Sequence, residues 1–396
     1  MVAGLIFGAP VLLAQRSNAS ANSSKPEPST AAGDGDALRL AQAQGRADTA
    51  LVDWVLANSG PLHGDTLAGA YRIAFTVTPA EGWWDKSGDK AGGGKLAWHD
   101  APANKFHLRI FVLSRADGRL VPNLSLRATL IDANGNRQAT PVAFGWYPLV
   151  NAYGGNVPLV ADSSYSLHVA IDADSSLTPH PVPPPSLEER ITRTTLAEFQ
   201  PVPIAQDAVS HLPLATAIDA ANEADLLKPA NAALSDAITT LWQRSASGAE
   251  KAAGDYFVAY AFDDTAPTSS NLKKHHTKNL FDFSAEENVR LEVLIRDSRT
   301  GRFLPELQPQ AALVAADGNR YGSGELPPLW HPWLNLYGRS VRIPRKGVYR
   351  LLVSFDAPGF RRWGRQSERF ASAAEVEFEE LSLNPQQIKP EGEPKP

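Results

Sequence analysis

The chain has 396 residues, 43% of them hydrophobic, and a net charge of −5. That length suits two or three domains, and a near-balanced charge without a long basic run argues against nucleic acid as a partner. There is no cysteine, which excludes disulfides, thiolate metal sites and a cysteine nucleophile.

Residues 2–14 are mainly apolar and precede Ala19-Ser20-Ala21. This A-x-A pattern predicts a secretory signal peptide over 1–21, although the basic n-region is missing. A buried helix is the other reading of the run. Residues 22–35 are rich in Ser, Pro, Gly and Ala and read as an unstructured linker. No other apolar run reaches the ~18 residues of a membrane span.

A helix is predicted over 36–58 from the apolar face of Leu38, Leu40, Ala47, Leu51, Trp54 and Val55, stopped by Gly60-Pro61. Strands follow at 71–78, 106–113 and 124–131, separated by a long Trp-bearing loop at 81–103 and by turns at Asp117-Gly118 and Asn134-Gly135. Further strands are read at 157–159, 165–171 and 198–204, with a Pro-rich stretch at 179–185. Residues 206–248 are rich in Ala and Leu and hold a helix over 228–244. Strands then recur at 256–262, 289–296, 310–315, 341–343, 349–355 and 375–383. The polar, Pro-rich tail 384–396 is expected to be disordered.

The second half repeats the first. Trp146-Tyr147-Pro148-Leu149-Val150-Asn151-Ala152-Tyr153-Gly154 and Trp330-His331-Pro332-Trp333-Leu334-Asn335-Leu336-Tyr337-Gly338 share W-x-P-x-x-N-x-Y-G. They lie roughly 184 positions apart, a period that implies two copies of a whole domain. Gly118-Arg119-Leu120-Val121-Pro122 answers to Gly301-Arg302-Phe303-Leu304-Pro305, and Tyr165 to Tyr349. Trp54 and Ser59-Gly60 answer to Trp242 and Ser247-Gly248. The expectation is a mainly β protein of two tandem immunoglobulin-like antiparallel β-sandwiches, each preceded by a helix. Copy one is placed at 36–205 and copy two at 206–383.

The order of these motifs resembles the periplasmic iron-transport protein family. The matching residues in copy one are His107, Gly118, Arg119, Val121, Pro122, Asp132, Gly135, Tyr153, Gly154, Asn156, Val157, Leu159, Tyr165 and Val169. Copy two matches at Gly301, Arg302, Pro305, Asp317, Gly318, Tyr337, Gly338, Val341, Pro344, Gly347, Tyr349 and Val353. The resemblance implies an immunoglobulin-like sandwich, a periplasmic or otherwise exported location, copper or iron as the bound metal, and an inner-membrane iron permease as partner. The family's ligand set is eroded here. Ala152 and Leu336 stand where the family has a His before Tyr-Gly, Trp363 stands where another His would come, and the one methionine is Met1.

Candidate metal ligands are His107 with His99 and Asp100 in copy one, and His331 in the motif loop of copy two, where copy one has Tyr147. Arg290 takes the place of His107 in copy two. His275-His276 lie in a copy two loop. Solvated loop histidines are the plainer reading of each His taken alone, since a metal needs convergent ligands with an ordered second shell. Trp83 and Trp84, which do not recur in copy two, are candidates for an aromatic ligand platform. Trp146 and Trp330 recur and read as plugs of each sandwich. No catalytic motif is present, so no enzymatic activity is expected. Two functions stay open: an exported, non-catalytic metal-handling accessory protein, or a structural or ligand-binding envelope protein with the same fold and no metal site.

Overall fold

A computed structural model of the chain describes residues 30–86, 95–103, 105–160, 163–173, 178–179, 193–204, 220–263, 289–365 and 368–384. The signal peptide, most of the linker, the bulk of the Pro-rich stretch, His275-His276 and the tail beyond 384 lie outside them. The protein is mainly β, in several antiparallel sheets, as expected. No helix among the described residues is long and apolar enough to cross a membrane.

The first half runs α1 (Thr30–Asn58), β1 (His63–Ala68), β2 (Tyr71–Pro79), β3 (Trp83–Lys86), β4 (Leu96–His99), β5 (Phe106–Ser114), β6 (Leu126–Asp132), β7 (Arg137–Thr140), β8 (Ala143–Trp146), β9 (Ala152–Val157), β10 (Ser163–Ile171), β11 (Thr178–Pro179) and β12 (Thr195–Ile204). The second half runs α2 (Ala220–Arg244), β13 (Ser247–Ala253), β14 (Tyr256–Asp263), β15 (Val289–Asp297), β16 (Gln310–Ala315), β17 (Arg320–Glu325), β18 (Pro328–Trp330), β19 (Asn335–Val341), β20 (Gly347–Phe355), β21 (Arg361–Trp363) and β22 (Ala374–Leu383).

The two halves carry the same strand order. One sheet reads β1-β2-β5-β9-β8 in the first half and β13-β14-β15-β19-β18 in the second; the facing sheet reads β12-β10-β6-β7 and β22-β20-β16-β17. Even the irregularities match. β10 slips register against β12 between Tyr165 and Leu167, and β20 slips against β22 between Tyr349 and Leu351. The turn glycines Gly118 and Gly301 both have positive φ, 82° and 75°, which only glycine adopts without strain. The hydroxyl of Tyr153 donates to Val121 O and accepts from Leu124 N–H, and Tyr337 does the same with Leu304 and Leu307. These corner tyrosines fix the chain that leaves the turn.

Several elements differ from the sequence expectation. Helix α1 reaches back to Thr30, into the stretch read as linker, because Ala31 and Ala32 favour helix. Helix α2 starts at Ala220, ahead of the 228–244 read from the sequence, and so contains Pro229. Leu227, in the turns ahead of the proline, is buried in the cluster with Leu51 and Val55. The loop at 81–103 contains the β3–β4 hairpin. The pairing of Trp54 with Trp242 is coincidental. Ser59 Oγ caps Val55 O and Ser245 Oγ caps Leu241 O, so the helix ends match at Ser59 and Ser245, whereas Ser247 already lies in a strand.

The halves are not independent. β21, from the second half, inserts between β8 and β3 of the first, parallel to β8 and antiparallel to β3. In return β11, from the first half, runs parallel to β18 of the second. The helices cross-brace the pair. Leu51, Val52, Val55 and Leu56 of α1 cover Ala74, Phe111 and Leu113 of the first half and touch Leu227 of α2. Leu40 and Ala41 of α1 pack with Ala237, Ile238 and Leu241 of α2 over Ala259, Ala261 and Leu294. Each helix therefore lies against both halves, and its apolar stripe is buried twice over.

Candidate functional site

Alternation along β5 sends Phe106, Leu108, Ile110 and Val112 into the sandwich core and His107, Arg109, Phe111 and Leu113 to the opposite face. On that face α1 covers Phe111 and Leu113. His107 and Arg109 lie further along and are covered by the exchanged strand β21. The whole strand is buried, and His107 is fully enclosed. Two polar side chains placed there must find partners inside the protein.

They do. Asn156, paired with His107 across β5 and β9, accepts from Glu81 N–H through Oδ1 and donates through Nδ2 to Glu81 O. This fixes the amide orientation, so the bond between His107 Nδ1 and Asn156 Oδ1 (2.9 Å) carries the ring proton on Nδ1. His107 Nε2 is then the bare nitrogen, and it accepts from the Tyr147 hydroxyl at 2.9 Å. Arg109 forms a buried ion pair with Glu81 and places its guanidinium 4.5 Å from the Tyr147 ring centroid. Trp363, delivered by β21, stacks on Tyr147 (6.0 Å, 9°) and packs on His107 at 4.2 Å. Gly154 lies under the Tyr147 hydroxyl, and any side chain there would collide with it. Burial lowers the His107 pKa to about 4, against a smaller opposing pull from Glu81, and it pushes Tyr147 up.

These residues do not fit a copper or iron ion. The one His107 lone pair that could coordinate is held by Tyr147, the Glu81 carboxylate is committed to Arg109, and Trp363 fills the remaining space. The other sequence candidates do not converge on His107. His99 stacks on Trp83 at 4.9 Å. Asp100 is exposed and bonded to Trp98 Nε1 and Arg365. His331 is buried in the second half beside Trp333. Among the described residues, no three His, Asp or Glu side chains are grouped as metal ligands.

The tryptophan pair packs within its own hairpin and against the arm that carries β21. Trp83 meets His99, Trp363 and the Arg361 guanidinium. Trp84 packs edge-on against Trp98 and donates to Arg365 O, while Arg365 covers Trp98. Trp146 and Trp330 are both buried.

The recurring motif has a role that the sequence reading did not reach: it joins the halves. Arg302 donates to Asn151 Oδ1 (3.1 Å), Tyr147 O (2.8 Å) and Pro148 O (3.1 Å), and its guanidinium lies 3.6 Å from the Trp146 ring centroid. Arg119 donates to His331 O, and Asn335 to Leu120 O. The arginine of each G-R-x-x-P turn thus reaches the W-x-P-x-x-N loop of the other half. Arg362 holds the exchanged arm by donating to the carbonyls of Pro358, Phe360, Arg369 and Phe370. Glu81, Arg109 and the inter-half arginines were missed. An available signal was the pairing of His107/Arg109 with Arg290/Glu292 at matching positions: charged residues in an otherwise apolar strand require buried partners.

No family model matches the chain, and no curated protein matches it. Solved structures with some likeness include a copper-bound variant of FetP from uropathogenic Escherichia coli strain F11, 17% identical, with a TM-score of 0.27, covering 36% of this chain and 96% of that one. A copper-bound variant of Campylobacter jejuni P19 is 13% identical, with a TM-score of 0.27, covering 35% of this chain and 98% of that one. A DUF4426 family protein from Pseudomonas aeruginosa PAO1 is 7% identical, with a TM-score of 0.24, covering 36% and 97%.

Proposed function

We propose that the protein is an exported, non-catalytic component of the cell envelope, in which two immunoglobulin-like sandwiches of the iron-transport type form one strand-exchanged unit. The observation that carries this reading is the closure of the His107 site. Both ring nitrogens are used, and Trp363 from the other half sits on the ring. A position that holds metal in the family it resembles acts here as a joint between halves. The non-catalytic part is supported by the same closure: Glu81, Arg109 and His107 are paired within the protein and buried from any substrate.

A second reading, an accessory protein that hands copper or iron to an inner-membrane permease, is favoured by the shared motif order and by His107 itself. One experiment separates them. Calorimetric titration of the full chain with Cu(II) and Fe(II), alongside His107→Ala, should show no stoichiometric site that depends on His107. Stoichiometric binding abolished by His107→Ala would install the metal-handling reading instead.

A further inference from the structure

Between α1, α2 and the two motif loops lies a cavity of ≈ 110 Å³. Its walls are mostly apolar, including Leu51, Phe144, Leu294 and Phe303. Its polar groups come from both halves. Asp48 Oδ2 accepts from Leu120 N–H, and this is the only hydrogen bond of that carboxylate among the described residues. Asp48 is half-buried between the helix and the turn, and it lines the cavity. Gln44 uses its Nε2 on Trp333 O and Asn335 uses its Nδ2 on Leu120 O, so both amides have their carbonyl oxygens left over. Asp48 has no ion-pair partner within bridging distance among the described residues. Arg119 and Arg302 lie close enough to act on Asp48, and Arg302 also lines the cavity, but Arg119 is paired with Asp117 and Arg302 is bonded to the Trp146 loop. Burial of the Asp48 carboxyl raises its pKa to about 6, against smaller lowering pulls from the Leu120 N–H and from the Arg119 and Arg302 guanidiniums.

We infer that this cavity binds a small protonated alkylamine, whose ammonium group is received by Asp48, Gln44 and Asn335 and whose carbon chain lies on the apolar walls. An ammonium group offers three donors, and three oxygens without donors of their own are available. Its charge supplies the direct ion pair that neither Arg119 nor Arg302 makes with the carboxylate. The volume is below the ~150 Å³ that holds benzene, which limits the chain to about three or four carbons. The inference is independent of the metal question, because none of these residues belongs to the His107 network.

The test is calorimetric titration of the full chain with propylammonium chloride, with 1-propanol as the uncharged control. Saturable one-to-one binding of propylammonium is expected, with 1-propanol weaker by about tenfold or more. Asp48→Asn keeps an acceptor for Leu120 N–H, so it should fold, and it should weaken propylammonium by about tenfold or more. Ala230→Phe, on the cavity wall, should abolish binding while the circular dichroism spectrum is retained. No saturable heat with wild type, which would leave a cavity for water only, overturns the inference. So does equal binding of 1-propanol, or undiminished binding by either variant.

Discussion

Arg302 and Arg119 occupy the same place in the repeat and do unequal work. Arg302 crosses to the other half, bonds three acceptors there and lies over the Trp146 ring. Arg119 turns back to Asp117 at 2.9 Å, reaches His331 O only at 3.4 Å, and sits 5.9 Å from the Trp330 ring. The neighbouring residue decides this. Asp117 captures its arginine, whereas Thr300, at the matching position, takes one N–H of Arg302 and leaves the rest of the guanidinium to cross. One motif therefore yields a strong joint and a weak one, and the strong joint lies beside the closed His107 site.

The largest effect is expected at the ring under the strong joint. Trp146 is fully buried between Arg302 and Phe370, so Trp146→Ala should cost about 3–5 kcal/mol. Trp330 lacks the close guanidinium, and Trp330→Ala should cost measurably less in urea unfolding. Equal losses would break the comparison.

The His107 joint should show itself in pH. Its folded pKa is about 4, below the ~6.5 of an unfolded histidine. Below pH ~6.5 the unfolded chain takes up a proton that the folded chain refuses. Stability from this group is therefore full above that pH and is lost as pH falls towards 4. The shift corresponds to about 3 kcal/mol. Asp48, raised to about 6, acts in the opposite direction over much of the same window, so the raw profile mixes the two. Comparing wild type with His107→Gln removes the Asp48 contribution. The gap in unfolding free energy should narrow by about 3 kcal/mol between pH 7 and pH 4. A gap that stays constant would mean His107 is not held neutral by burial.

The clamps themselves can be compared directly. Arg302→Ala removes charge-assisted bonds and a cation–π contact, for about 3 kcal/mol. Arg119→Ala should cost about 1 kcal/mol for its one long bond across the halves, beyond the cost of leaving the mostly buried Asp117 carboxylate unpaired. Asp117→Thr should then free Arg119 and raise its cost towards that of Arg302. If Arg119→Ala costs the same with and without Asp117, capture by the acid is not what weakens that joint.

What the sequence revealed was local. The glycines 118 and 301, the corner tyrosines 153 and 337 and the alternation of β5 and β15 each act within a few residues of chain, and each leaves a pattern. The joints act across the halves and leave none. β21 is only three residues long, and its pairing with β8 depends on where the chain returns, not on its own propensity. The enclosure of His107 depends on Trp363, far along the chain, which could be read as a lost ligand but not as the cap that replaced it. β3 and β4 were hidden because a Gly-rich connection masks strand alternation. The repeated Trp54 and Trp242 misled because a shared residue type need not mark a shared position.

The smallest expected effect lies at a pair of strained residues that the repeat aligns. Asn123 and Glu306 both follow the Pro of the G-R-x-x-P turn, with φ of 56° and 57°. Asn tolerates this left-handed region because its short amide bonds locally, and a longer side chain does not. Asn123 also uses its Oδ1 to accept from Glu306 N–H at 2.9 Å, a bond between the halves. Glu306 returns nothing equivalent to Asn123. Glu306→Asn should therefore relieve strain and supply the missing acceptor, stabilising by about 0.5–1 kcal/mol. Asn123→Glu should destabilise by more than that, because it adds the strain and removes the existing bond. Thermal unfolding of both variants decides the matter. A stabilised Asn123→Glu would mean that the two positions are not equivalent across the halves, and that their matching φ values are incidental.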